Sequence, residues 1–149
     1  TFLTDNRHMF ESCDIRLHYP SEEKMTCTII VPLFEMLLMN ILTNAGKYNA
    51  SERPAIDITL AKEKNALSMH FKDNGIGIAQ GDKKKIFKKF YQGTLRDERI
   101  HTGGSGIGLY LVSHIVRLHG GKIAADSEGP GKGAVFSLTL PCHEGHKRP

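Results

Sequence analysis

A two-layer α/β sandwich, with a mixed, mostly antiparallel sheet and about three helices on one face, is the fold class this sequence predicts. Three observations carry the prediction. Pairs of short alternating apolar–polar runs lie close together, as in antiparallel hairpins. Three stretches place apolar residues at helical spacing. The chain has 149 residues, of which 40% are hydrophobic and 24% charged, the size and composition of one soluble domain with a single core.

Taken in order, Ile15, Leu17 and Tyr19 alternate with Arg16 and His18, the pattern of a half-buried strand. Pro20 and Ser21 supply turn chemistry, and the β-branched run over 25–31 predicts a second strand, making a hairpin with the first. Pro32 suits a helix start, where a missing N–H costs nothing. Leu33, Phe34, Leu37, Leu38, Ile41, Leu42, Ala45 and Tyr48 then recur at helical spacing to about Asn49. Ile56, Ile58 and Leu60 alternate with polar residues, as do Leu67, Met69 and Phe71, so 56–60 and 67–71 predict a hairpin turning at 63–65. Ile86, Phe87 and Phe90 predict a short basic helix over 81–91. Residues 92–105 are polar and aperiodic, a loop long enough to carry function. Ile107, Leu111, Ile115 and Leu118 predict a helix over 107–119, stopped by Gly120 and Gly121. Strands follow at 122–125 and 134–140, the last ended by Pro141. The domain is expected over 14–141, with a linker remnant at 1–13 and a disordered tail at 142–149.

The net charge of +4 suits an anionic ligand and is too small to argue for nucleic acid. Lys83, Lys84, Lys85, Lys88 and Lys89 read as the wet face of a helix, the alternative being a docking patch for an acidic partner. Cys13, Cys27 and Cys142 lack metal-ligand spacing, and reduced thiols in a cytoplasmic setting are expected. No apolar run approaches the ~20 residues of a membrane span, although a longer parent protein anchored elsewhere is compatible with this.

Three motifs concentrate the chemistry. Asn40, Asn44 and Lys47 fall at i, i+4 and i+7, hence on one helix face. An amide oxygen from Asn44 suits Mg²⁺, which takes one or two protein oxygens and leaves phosphates and water for the rest. Lys47 offers a point charge to a phosphate. Asp73, Gly75, Gly77 and Ile78 follow a strand, combining a carboxylate able to accept from an exocyclic amine with glycines that allow a base to lie close. Gly104, Ser105, Gly106, Ile107, Gly108 and Leu109 form a glycine loop entering a helix, whose N–H groups suit phosphate. It is neither a Walker loop nor the dinucleotide fingerprint, since Leu109 stands where a last glycine would be. Each motif alone is also compatible with a solvated helix face or a common turn. Their specificity lies in order and spacing.

In combination they resemble the catalytic ATP-binding domain of sensor histidine kinases, within the ATPase superfamily that includes gyrase and the heat-shock chaperone (the GHKL, or Bergerat-fold, group). Residues 40–48 resemble the N box, 73–77 the G1 box, 86–91 the F box and 104–109 the G2 box. The resemblance covers about 14–141. It implies ATP and Mg²⁺ as cofactors, Asn44 holding the metal with Asn40 beside it, and Lys47 on phosphate. It also implies Tyr48 against adenine, Asp73 on the adenine amine, Tyr91 and the glycine loop lining the site, and 92–105 as a lid. Implied partners are a dimerisation and phosphoacceptor domain of the same full-length homodimer and a downstream response regulator, this stretch alone being monomeric. Two departures matter. Hydrolytic relatives carry a glutamate where Asn40 stands, and Asn40 cannot act as a base, which favours phosphoryl transfer over hydrolysis. Many sensor kinases carry an arginine where Gln92 stands, leaving Arg96 or Arg99 as substitutes or a slower transfer. No histidine here has the helical-hairpin setting of the family's phosphoacceptor. A nucleotide-binding regulatory module without transfer activity is the alternative reading.

Overall fold

The computed structural model of the chain describes residues 2–19, 25–100 and 104–144. In chain order they form α1 (Phe2–Asp5), β1 (Asp14–His18), β2 (Met25–Thr26), α2 (Val31–Lys47), β3 (Ala55–Glu63), β4 (Ala66–Asp73), α3 (Gly108–Leu118), β5 (Lys122–Asp126), β6 (Val135–Pro141) and β7 (His143–Glu144). The main sheet has five strands in the order β1-β3-β4-β6-β5. All its pairings are antiparallel except β1 with β3, which run parallel.

The two-layer sandwich follows from alternation. Ile56, Ile58, Met69, Phe71, Phe136, Leu138 and Leu140 point from the three central strands into one core. Leu37, Ile41, Leu42 and Ala45 of α2 meet them, with Val112, Ile115 and Val116 of α3. Phe71, Leu37 and Val112 retain no accessible surface. Burying side chains of this kind is worth about 1.5–3 kcal/mol each relative to exposure. The opposite sheet face is polar: His70 sits between the Ser68 and Ser137 hydroxyls at 3.0 and 2.9 Å.

Four expectations are corrected. β1 makes no hairpin with the segment after it; it pairs in parallel with β3, Asp14 opposite Ala55, because α2 carries the chain across the sheet before β3 begins. Only Met25 and Thr26 of the expected second strand pair, and they pair with Glu144 and His143 at the other end of the chain. Residues 81–91 form two 3-10 turns, Gln80–Asp82 and Lys85–Phe87, since Lys88 is extended and Phe90 adopts φ 64°, which no right-handed helix accommodates. Finally, Cys27 and Cys142 are joined in a disulfide across 115 positions, with Cα atoms 4.4 Å apart, so only Cys13 is free.

The ends of the chain contribute as well. Phe10 is buried in the core, ahead of the expected domain start. Cys142 is buried, and its N–H donates to Asn65 O at 2.9 Å. The expected tail is therefore structured through Glu144, and 145–149 lie outside the described residues. No helix among the described residues is long and apolar enough to cross a membrane.

Candidate nucleotide site

The α2 helix aims its last two turns into a cavity of about 550 Å³. Asn40, Asn44, Lys47 and Tyr48 line one wall. Asn40 is steadied by its own helix, its amide N–H donating to Met36 O at 2.8 Å. Its amide oxygen faces α3, where a Cβ built on Gly108 would approach it to 2.8 Å. Thr43, also in the wall, turns its hydroxyl back to Met39 O at 2.7 Å. Lys47 Nζ lies 5.4 Å from the centre of the Tyr48 ring.

A second part of the lining is built around Asp73, the last residue of β4. Asp73 Oδ1 accepts the N–H of Gly75 at 2.8 Å and of Ala134 at 3.1 Å. Burial raises its carboxyl above the ordinary carboxylate value, and those two donors pull against the rise. The loop after it is clamped on both sides. Ile76 N–H donates to Tyr48 O at the end of α2, and the N–H groups of Gly131 and Gly133 donate to Ile76 O and Gly75 O. Gly77 is held at φ 82°, and a Cβ there would also meet Ser127 Oγ at 2.9 Å, so both backbone and space require glycine.

Gly104, Ser105, Gly106, Gly108 and Leu109 close the third side, with Tyr91 and Ile78 completing the lining. Gly106, at φ 71°, lies against the Phe90 backbone, where a Cβ would come within 2.8 Å of Phe90 Cα. Gly106 O in turn accepts the Phe90 N–H at 2.9 Å. Asn44 and Asp73, nearly thirty positions apart in the chain, thus share one cavity. Gly75 and Ile107 are the two expected residues outside its lining: Gly75 is buried under Tyr48 O, and Ile107 caps the start of α3.

Arg96, one of the two arginines expected as substitutes at Gln92, also lines the cavity, as do Asp82, Leu95 and Asp97, which the sequence does not mark as site residues. Asp82 is buried, and its carboxylate accepts from Tyr91 Oη at 2.6 Å and from Thr94 N and Oγ1 at 2.7 Å each. These donors hold its carboxyl below the ordinary range. In the loop, Gln92 Nε2 donates to Gly104 O, bridging the loop's two ends. The two candidate arginines differ. Arg99 donates Nε and Nη2 to Asp97 at 2.9 and 2.6 Å, whereas Arg96 donates to the carbonyls of Gly93 and Leu95 and lines the cavity.

The Arg99 pair holds the Asp97 carboxyl at about 2, below its ordinary value. Its contribution to stability is therefore present above the unfolded value and lost as pH falls through about 2. An NMR titration should find Asp97 titrating there and Arg99→Ala moving it only part of the way back toward the ordinary carboxylate range, because the Arg99 backbone N–H still donates to Asp97 Oδ1; an unshifted Asp97 in the parent chain would contradict the pairing.

The family model for the histidine kinase-, DNA gyrase B- and HSP90-like ATPases matches residues 13–144. This chain belongs to that family. The sensor histidine kinase MtrB of Mycobacterium leprae is 36% identical over 113 residues, 76% of this chain and 19% of MtrB. Among solved structures, the mycobacterial sensor histidine kinase MprB superposes with TM-score 0.77 at 20% identity, covering 96% of this chain and 91% of that one. Full-length ShkA in complex with AMPPNP superposes with TM-score 0.76 at 21% identity, covering 96% of this chain and 29% of that one. The histidine kinase ATP-binding domain of the GHKL group is thus the type of this chain, as its four boxes imply. It spans about a fifth of the length of MtrB.

Proposed function

We propose that this chain is the catalytic ATP-binding domain of a sensor histidine kinase, which binds Mg-ATP and presents its γ-phosphate to a histidine on a separate phosphoacceptor domain. The observation that supports this reading is one cavity lined by the Asn40 and Asn44 amides, the Lys47 ammonium, the Asp73 carboxylate and the glycines at 104, 106 and 108.

The residues fit the cofactors. About 550 Å³ is in the range of a small-molecule site. Among the described residues no cluster of three or more His, Cys, Asp or Glu could hold a metal by itself, which suits Mg²⁺ bound chiefly through phosphates and water. Asn44 would supply its protein oxygen, with Asn40 beside it, and Lys47 would face phosphate. Asp73 would accept from the adenine amine with Tyr48 near the base. Gly104, Ser105, Gly106, Ile107, Gly108 and Leu109 would offer backbone donors and close approach to the phosphates. Phosphoryl transfer requires mainly positioning and charge neutralisation, which amide, ammonium and backbone N–H groups provide. Asn40 offers no base for water, so transfer to a side chain is preferred to hydrolysis. With Gln92 engaged on Gly104 and Arg99 on Asp97, Arg96 is the cation in the loop best placed to meet a terminal phosphate.

The acceptor comes from elsewhere. His18 pairs with Asp57, His70 lies between two serines, and His119 accepts the N–H of Ile30, so these three are engaged within the fold. The partners are a dimerisation and phosphoacceptor domain of the same homodimeric protein and a response regulator, in the cytoplasm.

Incubation with γ-labelled ATP and a separate phosphoacceptor domain should give an acid-labile, alkali-stable phosphohistidine on that domain. Binding without phosphohistidine would favour a regulatory nucleotide module, and steady phosphate release abolished by Asn44→Ala would indicate an ATPase.

A further inference from the structure

The β3–β4 ladder ends with Ile56 opposite Asp73, so the chain leaves the sheet at the residue whose carboxylate lines the cavity. The next side chain fixes it there. Asn74 lies outside the cavity lining and is exposed, yet its amide makes three hydrogen bonds to the connection between α2 and β3. Its Oδ1 accepts the Asn49 side-chain N–H at 2.7 Å and the Ala55 backbone N–H at 2.8 Å. Its Nδ2 donates to Arg53 O at 3.0 Å, and its own backbone N–H donates to Ala55 O at 3.2 Å.

Asn49 is held in turn. Its Oδ1 accepts the Ser51 N–H at 2.9 Å and the Ser51 hydroxyl at 2.7 Å, a local turn that asparagine favours. Asn49 directly follows Tyr48, whose carbonyl accepts the Ile76 N–H at 3.0 Å. Two links therefore join the end of α2 to the Asp73 loop, Asn49 to Asn74 and Tyr48 to Ile76, one on each side of Gly75. A Cβ on Gly75 would come within 2.5 Å of Tyr48 O, so the loop and the helix end lie in direct contact between the links. One link alone would leave the loop able to pivot about it; two remove the pivot.

The peptide between the links acts on the cavity. Gly75 N–H donates to Asp73 Oδ1, as does Ala134 N–H. Both donors converge on one oxygen, so Oδ2 is the oxygen offered to a ligand. Turning the Gly75 peptide would withdraw one donor and let the carboxylate rotate.

We propose that Asn74 is a positioning residue for base recognition: by tying Asn49 and Ala55 to the Asp73 loop it fixes the Gly75 peptide, and through it the direction of the Asp73 carboxylate. This rests on the reading of the cavity as a nucleotide site with Asp73 on the base amine. Asn74 touches no ligand. It acts by preorganising the group that does, and its effect falls on base selectivity.

The test uses the whole chain and two magnesium-loaded nucleotides, ATP and purine riboside triphosphate, which has the same sugar and phosphates but no exocyclic amine. Calorimetry on the parent should show ATP preferred by at least tenfold, the low end for a hydrogen bond to a charged group. Asn74→Ala should weaken ATP by about tenfold and leave the analogue within about twofold, so the preference collapses. Asn49→Ala should act in the same direction by less, and the double variant should fall short of additive. A merely structural role would weaken both nucleotides alike. A second measurement needs no ligand. Asn74→Ala should speed amide exchange of Gly75 and Ile76 by about tenfold and leave the amides in the middle of β4 unchanged. Should Asn74→Ala fail to fold, Asn49→Ala carries both comparisons. An equal loss for the two nucleotides, or an unchanged preference, would overturn the proposal. Failure of the parent to bind either nucleotide would refute the nucleotide reading, and unchanged exchange at Gly75 and Ile76 would separately refute the tie through Asn74.

Discussion

Replacing Asp73 by Asn should weaken ATP binding while raising the thermal midpoint of the nucleotide-free domain. Both effects follow from the same carboxylate. Burial raises the folded pKa of Asp73 above its unfolded value, and the Gly75 and Ala134 N–H groups only partly offset this. A raised carboxyl contributes stability that is complete below the unfolded pKa and is lost as pH rises through the folded one. At neutral pH the ionised group therefore weakens the empty fold. Asn keeps an oxygen for the two N–H donors to Oδ1 and removes the charge. It also presents an amide donor where an adenine amine needs an acceptor. A hydrogen bond to a charged group is worth about 1.5–3 kcal/mol, so calorimetry should show Kd raised by about ten- to a hundredfold. Asn44→Ala in the same titration should abolish the magnesium-dependent part of the affinity and leave the midpoint nearly unchanged. Wild-type binding by both variants would refute the proposed roles of Asp73 and Asn44 in this cavity.

Reduction of the Cys27–Cys142 disulfide should lower stability more than any single change at the cavity. The bond closes a loop across 115 positions, and a loop of that order restricts the unfolded chain by about 4–5 kcal/mol. For a chain of this size each kcal/mol moves the midpoint by about 2–4 °C, so reductant should lower it by roughly 10 °C or more. Cys27→Ser should reproduce the loss without reductant, at a position less buried than Cys142. Identical melting of the oxidised parent, the reduced parent and Cys27→Ser would exclude a stabilising bond.

The cavity was legible because its chemistry is local. The four-residue step from Asn40 to Asn44 fixes a shared helix face, and the glycines at 77 and 106 mark positions that exclude a side chain. The β3–β4 hairpin, α2, α3 and β6 were legible from period alone. Partnership was not. Alternation over Ile15 and Leu17 identifies a strand but not its neighbour, so the parallel pairing with β3 was missed. Ile86, Phe87 and Phe90 satisfy a helical pattern, but the left-handed backbone at Phe90 is set by its approach to Gly106, a tertiary effect. Cys27 and Cys142 carry no spacing signature because their meeting depends on β2 pairing with β7. Asp82 adjoins the lysines of 83–85 in the sequence, and no periodicity or motif there marks it as buried. Its buried neighbour Ile86 could have suggested that the segment packs inward.

The parallel placement of β1 has a kinetic consequence. Its hydrogen bonds to β3 form only after the intervening chain, α2 included, has closed into a wide excursion. Encounters of that span are entropically slow compared with the tight β3–β4 hairpin. The helix bearing Asn40, Asn44 and Lys47 should therefore gain its final seat late in folding, and the pocket should mature after the sheet's centre has already condensed.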